Sequence, residues 1–304
     1  MERRGFIKRL GLGAAAVSAA STLSLPAFAK GNVAAAPFKL DFAPHFGMFK
    51  QHAPGGLVDE LRFMADQGFR SLEDNGLLKR PLAEQELIGK TLDQLGMRMG
   101  VFVVDGGDNW KVSLTTGKQE FLDNFVATCK ASVEAAKRVN AKWMTVVPGY
   151  FERNLPIGVQ TGHVIDALKR GAEIFEPQGL AMVLEPLSDN PDLFLRHADQ
   201  TYMICRAVGS PACKLLYDAY HMQRNEGNLI ATMEKTWSEI AYIQIGDNPG
   251  RKEPGTGEIN YANVFQFIHK KGFTGILGME HGNALPGKEG ELALIEAYRK
   301  VDVK

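Results

Sequence analysis

Residues 214–247 read KLLYDAYHMQRNEGNLIATMEKTWSEIAYIQIGD and contain one full period of the pattern from which the fold is predicted. An apolar run at 214–217 has the length of a buried strand and ends at Asp218. A stretch with helical periodicity follows at 228–236, and a second apolar run lies at 241–245. Short buried strands that alternate with amphipathic helices are typical of α/β proteins with a parallel sheet. This stretch therefore predicts a strand–helix–strand unit.

The same alternation continues along the chain from residue 38 to its end. The apolar runs predicted as strands lie at residues 38–43, 69–72, 97–104, 143–147, 181–184, 214–217, 241–245 and 275–279. The amphipathic runs predicted as helices lie at residues 57–67, 85–95, 120–138, 164–175, 198–208, 228–236, 261–270 and 289–301. Eight strand–helix repeats in 304 residues predict an α/β fold, a single (β/α)8 TIM barrel. A doubly wound open sheet is the alternative, but no G-x-G-x-x-G motif follows the first strand.

The composition excludes several classes of protein. The chain has 35 basic and 35 acidic residues, and 45% of its residues are hydrophobic. A disordered chain would combine low hydrophobicity with a high net charge. A nucleic-acid partner is not expected, because phosphate backbones select strongly basic surfaces. The three cysteines, Cys129, Cys205 and Cys213, are too few for a disulfide scaffold, although a Cys205–Cys213 bridge is conceivable.

The N-terminus has the pattern of an export signal. Arg3 and Arg4 are followed by Phe6 and Lys8, and residues 10–29 contain no charged side chain. That run is rich in Ala, Gly, Ser and Leu and ends in Pro-Ala-Phe-Ala, which matches an A-x-A cleavage site. The adjacent arginines resemble a twin-arginine signal.

This pattern predicts a twin-arginine signal peptide over residues 1–29 that is cleaved near Ala29. The barrel would then occupy residues 30–304, interact with the twin-arginine export machinery and reach the periplasm. A retained membrane anchor is the alternative, because about 20 uncharged residues can just span a bilayer.

Polar residues follow four consecutive predicted strands, at the ends where function concentrates in a TIM barrel. They are Glu185, Asp218, Gln244 and Glu280. Three carboxylates that converge without a counter-charge would repel each other in a partly desolvated cavity, and a divalent cation would remove that repulsion. Carboxylate and amide oxygens favour Mg²⁺ or Mn²⁺ over zinc. The pattern therefore predicts one divalent cation bound by these four side chains.

The segments around these residues resemble a known family. Residues 184–187 (LEPL), 217–223 (YDAYHMQ) and 243–251 (IQIGDNPGR) resemble the xylose isomerase-like TIM barrels, and within them the hydroxypyruvate isomerase group. Residues 249–261 (PGRKEPGTGEINY) are the most specific part of the resemblance. The resemblance extends from about residue 38 to the C-terminus.

The resemblance implies a role for each candidate site residue. It implies that the cation is held by Glu185, Asp218, Gln244 and Glu280. It also implies that Glu185 and Glu280 form the catalytic pair that transfers the proton. His221 and Arg251 match substrate-binding positions of the family. His45 and Glu73, at the ends of the first two strands, are weaker candidates for lining the substrate pocket.

The reaction that the resemblance implies is the isomerisation of a small sugar or hydroxy-keto acid such as hydroxypyruvate. A proton next to the carbonyl would be removed and returned through a metal-bound enediolate. A ketose 3-epimerase or a 3-keto-sugar lyase would use the same site. A non-catalytic, metal-dependent sugar-binding barrel would not need both glutamates, and an endonuclease IV-type phosphoesterase would need more histidines than His221 and His281. The sequence leaves the oligomeric state open.

Overall fold

The computed structural model describes residues 35–304, so the predicted signal peptide lies outside the described residues. The strands β1–β9 are Phe42–Ala43, Ser71–Leu72, Arg98–Met99, Phe102–Val103, Trp143–Val146, Ala181–Leu184, Cys213–Asp218, Ile240–Gln244 and Leu277–Gly278. The helices α1–α9 are Leu57–Asp66, Leu82–Leu95, Gln119–Val139, Ile157–Phe175, Ala198–Val208, Ala219–Asn225, Leu229–Thr236, Tyr261–Lys270 and Gly287–Val301.

The strands are parallel and follow one another around a barrel. One sheet has the order β1-β9-β8-β7-β6-β5-β4, and β2 pairs with β3, which immediately precedes β4. A parallel bridge between His45 and Glu73 joins the chain just after β1 to the chain just after β2. The predicted (β/α)8 barrel is therefore confirmed. The predicted strand at 97–104 is divided into β3 and β4.

The interior of the barrel is a packed apolar layer. It consists of side chains that are no more than 1% exposed: Ala43, Val101, Val183, Leu216, Tyr242 and Ile276. Successive side chains of a strand point to opposite faces, so the residue two positions further on also points inward. The residues two positions after Val183, Leu216 and Tyr242 are Glu185, Asp218 and Gln244. Strand geometry therefore places these polar side chains directly above the apolar layer.

Three helices begin at least two residues earlier than the sequence pattern predicts. They are α2, α4 and α9, and each begins directly after a proline, at Pro81, Pro156 or Pro286. In α2 and α4 the amphipathic pattern misses the first turn because an apolar residue there points outward; Leu82 is 58% and Ile157 is 54% exposed. No helix within residues 35–304 has the length and apolar character needed to cross a membrane.

The link between β7 and β8 contains a helix that the sequence pattern did not predict. Helix α6 begins directly after Asp218, whose side chain accepts hydrogen bonds from the backbone N–H groups of Tyr220 and His221. An aspartate at this position satisfies N–H groups that have no partner within the helix. The cap therefore begins α6 at the end of β7 and brings His221 beside the strand end.

The three cysteines are buried free thiols. The Cys205–Cys213 bridge that the sequence left conceivable is therefore not formed.

Candidate active site

Four side chains from adjacent strand ends converge at the carboxyl end of the barrel. Single ligand atoms of Glu185, Asp218, His221 and Glu280 all lie within 4.8 Å of one another. Gln244 lies directly beside Asp218 in the register of β7 and β8. Glu185, Asp218 and Gln244 are at most 6% exposed. The structure thus brings together all four residues predicted to bind the cation. These four side chains, Glu185, Asp218, Gln244 and Glu280, are called the cluster below, and His221 lies beside them.

The cap of α6 also orients Asp218 in the cluster. Its Oδ1 accepts from Tyr220 N at 2.7 Å and His221 N at 3.3 Å. Its Oδ2 lies 3.4 Å from Arg251 Nη2 and 3.5 Å from His221 Nε2. One carboxylate oxygen is therefore used to start the helix, and the other faces the cluster.

The two glutamates of the cluster have different surroundings. Glu280 accepts from Asn75 Nδ2 at 2.9 Å and from Arg251 Nη2 at 2.8 Å. Glu185 Oε1 is buried and has no hydrogen-bond partner among the described residues. Burial raises the pKa of Glu185 well above its usual range, and the charges of Glu280 and Asp218 add to this increase. Burial also raises the pKa of Glu280, although Arg251 opposes the shift.

His221 is a neutral imidazole at the edge of this cluster. Ser188 N–H donates to its Nδ1 at 3.2 Å, and the Arg251 guanidinium lies 3.1 Å from its Nε2. That nitrogen lies 3.7 Å from Glu185 Oε1 and 3.8 Å from Asp189 Oδ2. Burial lowers the pKa of His221, which favours the neutral ring. His221 Nε2 therefore lies between the Arg251 guanidinium and the carboxylates.

Arg251 brings a positive charge to the same place. Its backbone has a φ of 49°, in the left-handed region that residues other than glycine rarely adopt. Its guanidinium stacks on Tyr220 with 4.9 Å to the ring centroid and donates through Nε to Glu280 O at 3.1 Å. Its pKa is raised because Asp218 and Glu280 outweigh the effect of burial. The arginine thus stays charged beside these carboxylates.

His45 and Glu73, the two weaker candidates, occupy different positions. His45 Nε2 lies 3.1 Å from His281 O, and the side chain lines a groove of about 480 Å³ together with Gly282 and Asn283. Glu73 is 1% exposed, and burial raises its pKa to about 7. It contacts Gln244 rather than the pocket surface. The structure therefore gives His45 a position at the rim and Glu73 a position below it.

Several residues of the site were not singled out from the sequence. They are Asn75, Ser188, Asp189 and Tyr242. Asn75 follows the second strand as Glu280 follows the last, so its place at a strand end is a signal that could have identified it. Ser188 and Asp189 lie in a loop, and their closeness to His221 depends on how that loop folds back.

The donor atoms of the cluster fit a hard divalent cation. Glu185 Oε1 and Gln244 Oε1 are buried oxygens without a partner among the described residues, and unpaired buried polar atoms are costly. Asp218 and Glu280 add two carboxylates beside them. An all-oxygen set with several carboxylates is the type of site that Mg²⁺ and Mn²⁺ prefer.

Comparisons with known proteins identify the family of this fold. A family model described as "Xylose isomerase-like TIM barrel" matches residues 61–301. Hydroxypyruvate isomerase of Escherichia coli K12 is 31% identical over 194 residues, which cover 62% of this chain and 72% of that protein. A 2-oxo-tetronate isomerase of Cupriavidus necator is 27% identical over 241 residues, which cover 77% of this chain and 89% of the relative.

Solved structures with the same fold are more distant in sequence. An AP endonuclease, family 2, from Brucella melitensis superposes with a TM-score of 0.73 at 22% identity, covering 85% of this chain and 99% of the other. The 3-keto-D-glucoside 4-epimerase of Escherichia coli superposes with a TM-score of 0.71 at 19% identity, covering 86% and 99%. At these identities the similarity establishes the fold alone.

Proposed function

Because the chain belongs to the xylose isomerase-like TIM barrel family, we propose that it is a metal-dependent isomerase of hydroxypyruvate or a closely related hydroxy-keto acid. The chain is an enzyme of the isomerase class that acts on small, sugar-like molecules, like its hydroxypyruvate isomerase and 2-oxo-tetronate isomerase relatives. The observation that carries the finer proposal is the convergence of Glu185, Asp218, His221 and Glu280 within 4.8 Å.

The cation would be held by Glu185, Asp218, Gln244 and Glu280. Mn²⁺ or Mg²⁺ is the proposed ion, since two buried oxygens in this set have no partner among the described residues. When bound, such an ion supplies positive charge that polarises a substrate carbonyl and offsets negative charge developing on the substrate oxygens.

Glu185 and Glu280 are the proposed proton-transfer pair. Glu185 has two carboxylate oxygens, so one can bind the cation while the other takes a carbon-bound proton. Glu280 is fixed by Asn75 and Arg251, which hold its carboxylate in one orientation beside the cluster. Positioned carboxylates that take and return a proton contribute about 10²–10⁴-fold to the rate of a reaction.

His221 and Arg251 are proposed to orient the substrate. His221 Nε2 faces the cluster and, when it carries the ring proton, can donate to a carbonyl or hydroxyl oxygen of the substrate. Nε and Nη2 of Arg251 are engaged by Glu280 and Asp218, and its Nη1 can donate to a substrate carboxylate. A hydroxy-keto acid presents both kinds of oxygen acceptor, which is why this substrate class suits the site.

Nuclear magnetic resonance in D₂O with the Mn²⁺-loaded protein tests this function. Hydroxypyruvate, other hydroxy-keto acids and small ketoses are each incubated with the enzyme, and the products are read after removal of the metal. We expect hydroxypyruvate to convert to its aldehyde isomer, and the Asp218→Asn variant and the chelator-treated protein to be inactive. Epimerisation of ketoses without conversion of any hydroxy-keto acid would contradict the proposal, and so would the absence of all turnover.

A further inference from the structure

A buried hydrogen bond determines which way the amide of Gln244 faces. Gln244 Nε2 donates to Glu73 Oε1 at 2.8 Å, and both side chains are 1% exposed. An amide nitrogen and oxygen lie on opposite branches of the same carbon, so this bond turns Gln244 Oε1 away from Glu73. That oxygen is buried and has no hydrogen-bond partner among residues 35–304.

Glu73 is itself held from the other side. Tyr242 donates its hydroxyl proton to Glu73 Oε2 at 2.9 Å. Tyr242 and Gln244 are two positions apart on β8, so both side chains point into the barrel. Each oxygen of Glu73 therefore accepts one hydrogen bond from a side chain of β8. One donor, Tyr242, belongs to the apolar layer, and the other, Gln244, belongs to the polar layer above it.

Two glycines provide the space for this arrangement. A Cβ at Gly278 would collide with Glu73 Oε2, and a Cβ at Gly100 would collide with the hydroxyl of Tyr242. Gly278 is also the register partner of Gln244 on the neighbouring strand. Because Gly278 and Gly100 have no side chains, their backbone can lie directly against the Glu73 carboxylate and the Tyr242 hydroxyl.

The carboxylate discriminates between the two orientations of the amide. In the observed orientation an N–H of Gln244 faces a carboxylate. In the flipped orientation the Gln244 oxygen would face Glu73 Oε1, and the two acceptors would repel. An amide can bind a hard cation only through its oxygen.

We infer that Glu73 is a positioning residue, which commits the amide of Gln244 to one orientation and so presents its oxygen to the cation. This inference rests on the metal centre of the proposed function. Glu73 then acts through Gln244 instead of contacting the substrate, which differs from the substrate-binding role expected from its place after the second strand. Partners that orient metal ligands in this way typically change metal affinity 10- to 100-fold when they are mutated.

Mn²⁺ binding by matched variants tests the inference, with free Mn²⁺ measured by electron paramagnetic resonance. Glu73→Leu removes the acceptor and is expected to weaken Mn²⁺ binding by about 10- to 100-fold. Glu73→Gln is expected to restore the affinity, because its oxygen can accept from Gln244 while its NH₂ donates to the Tyr242 oxygen. Glu239→Leu is the control: Glu239 is 3% exposed and directly precedes β8, at the end opposite to Gln244.

The orientation of the amide can also be read without a metal. In ¹⁵N-glutamine-labelled protein, the side-chain NH₂ signal that is lost in Gln244→Glu belongs to Gln244. We expect one of its protons to be shifted downfield by the bond to Glu73. If Glu73→Leu does not fold, this wild-type signal decides the question, since an unshifted signal would overturn the inference.

The outcomes separate this inference from the function on which it rests. Wild-type affinity in Glu73→Leu would overturn the positioning role and leave the metal centre intact. An equal loss of affinity in Glu73→Leu and Glu239→Leu would also overturn it, because the effect would then be one of general stability. Absence of Mn²⁺ binding by the wild type would overturn the metal centre and the inference together.

Discussion

At the scale of single residues, Arg251 shows how a strained backbone serves the candidate site. Its left-handed conformation aims the side chain back across the strand ends, where it lies 2.8 Å from Glu280 and 3.4 Å from Asp218. Residues in such conformations persist only where the surroundings hold them. Here the surroundings are two carboxylates and the Tyr220 ring, so the strain is offset by contacts within the site.

Arg251→Lys should reduce kcat/KM by about 10- to 100-fold, because a lysine cannot reproduce the two-pronged hydrogen bonding of a guanidinium. Steady-state kinetics on a verified substrate measures this. Arg224→Lys is the matched control: Arg224 also stacks on Tyr220, at 5.4 Å, but forms no ion pair with the cluster. Equal activities of the two variants would show that Arg251 acts only by stacking.

The sequence predicts the residues of the site that strand periodicity alone locates. Glu185, Asp218, Gln244 and Glu280 were identifiable because each follows an apolar run at the same end of the barrel. The contacts made by Asn75 and Ser188 were not identifiable, since they depend on distances across the barrel and on loop geometry. Sequence position placed Glu73 at the pocket, whereas its contact with Gln244 places it below the pocket.

At the scale of elements, the strand–helix alternation was predictable and the helix starts were not. The pattern failed at α2 and α4 because their first turns expose apolar residues, and at α6 because the helix is only seven residues long. Its start depends on the hydrogen bonds of Asp218, a local interaction that hydrophobic periodicity does not detect. The same short helix carries His221 to the site.

The packing of α2 against α3 gives a test at this scale. A Cβ at Gly89, in α2, would collide with the carbonyl oxygen of Arg138 in α3, whereas a Cβ at Gly162, in α4, meets nothing within 4 Å. Gly89→Ala should therefore lower the free energy of unfolding by about 1–3 kcal/mol through overpacking. Gly162→Ala should raise it by about 0.5–1 kcal/mol, because alanine loses less backbone entropy in a helix.

Urea unfolding of both variants measures these changes, with an unchanged m-value as the check that the unfolded state is comparable. Stabilisation by Gly89→Ala would show that the two helices do not approach as closely as the structure indicates.

At the scale of the whole molecule, the residues that pack the barrel interior and the residues of the candidate site occupy two separate layers. The apolar layer of Val183, Leu216, Tyr242 and their neighbours fills the interior, and the polar layer above it carries the candidate site. Because the two layers are successive inward-facing positions of the same strands, a change in strand register would move the site and the core together. This coupling explains why four adjacent strands deliver their side chains to one place.

Export of the whole chain remains a prediction from residues 1–29. Replacing both Arg3 and Arg4 with lysine should leave the protein in the cytoplasm of its own cell, because a twin-arginine signal needs the adjacent arginines. Fractionation and N-terminal sequencing measure this, and the mature wild-type protein should begin near Lys30. Arg9→Lys is the control and should be exported. Full-length wild-type protein in the cytoplasm would contradict the prediction.

Glu185 and Glu280 are proposed to transfer the substrate proton in a site that binds a cation. Turnover of hydroxypyruvate in D₂O by Glu185→Gln and Glu280→Gln tests this role. Glutamine keeps an oxygen that can bind the cation but cannot exchange a proton, so both variants should retain Mn²⁺ binding. Both should lose about 10²–10⁴-fold in rate, as expected for the removal of a general acid or base. Near wild-type turnover by both variants would contradict the account.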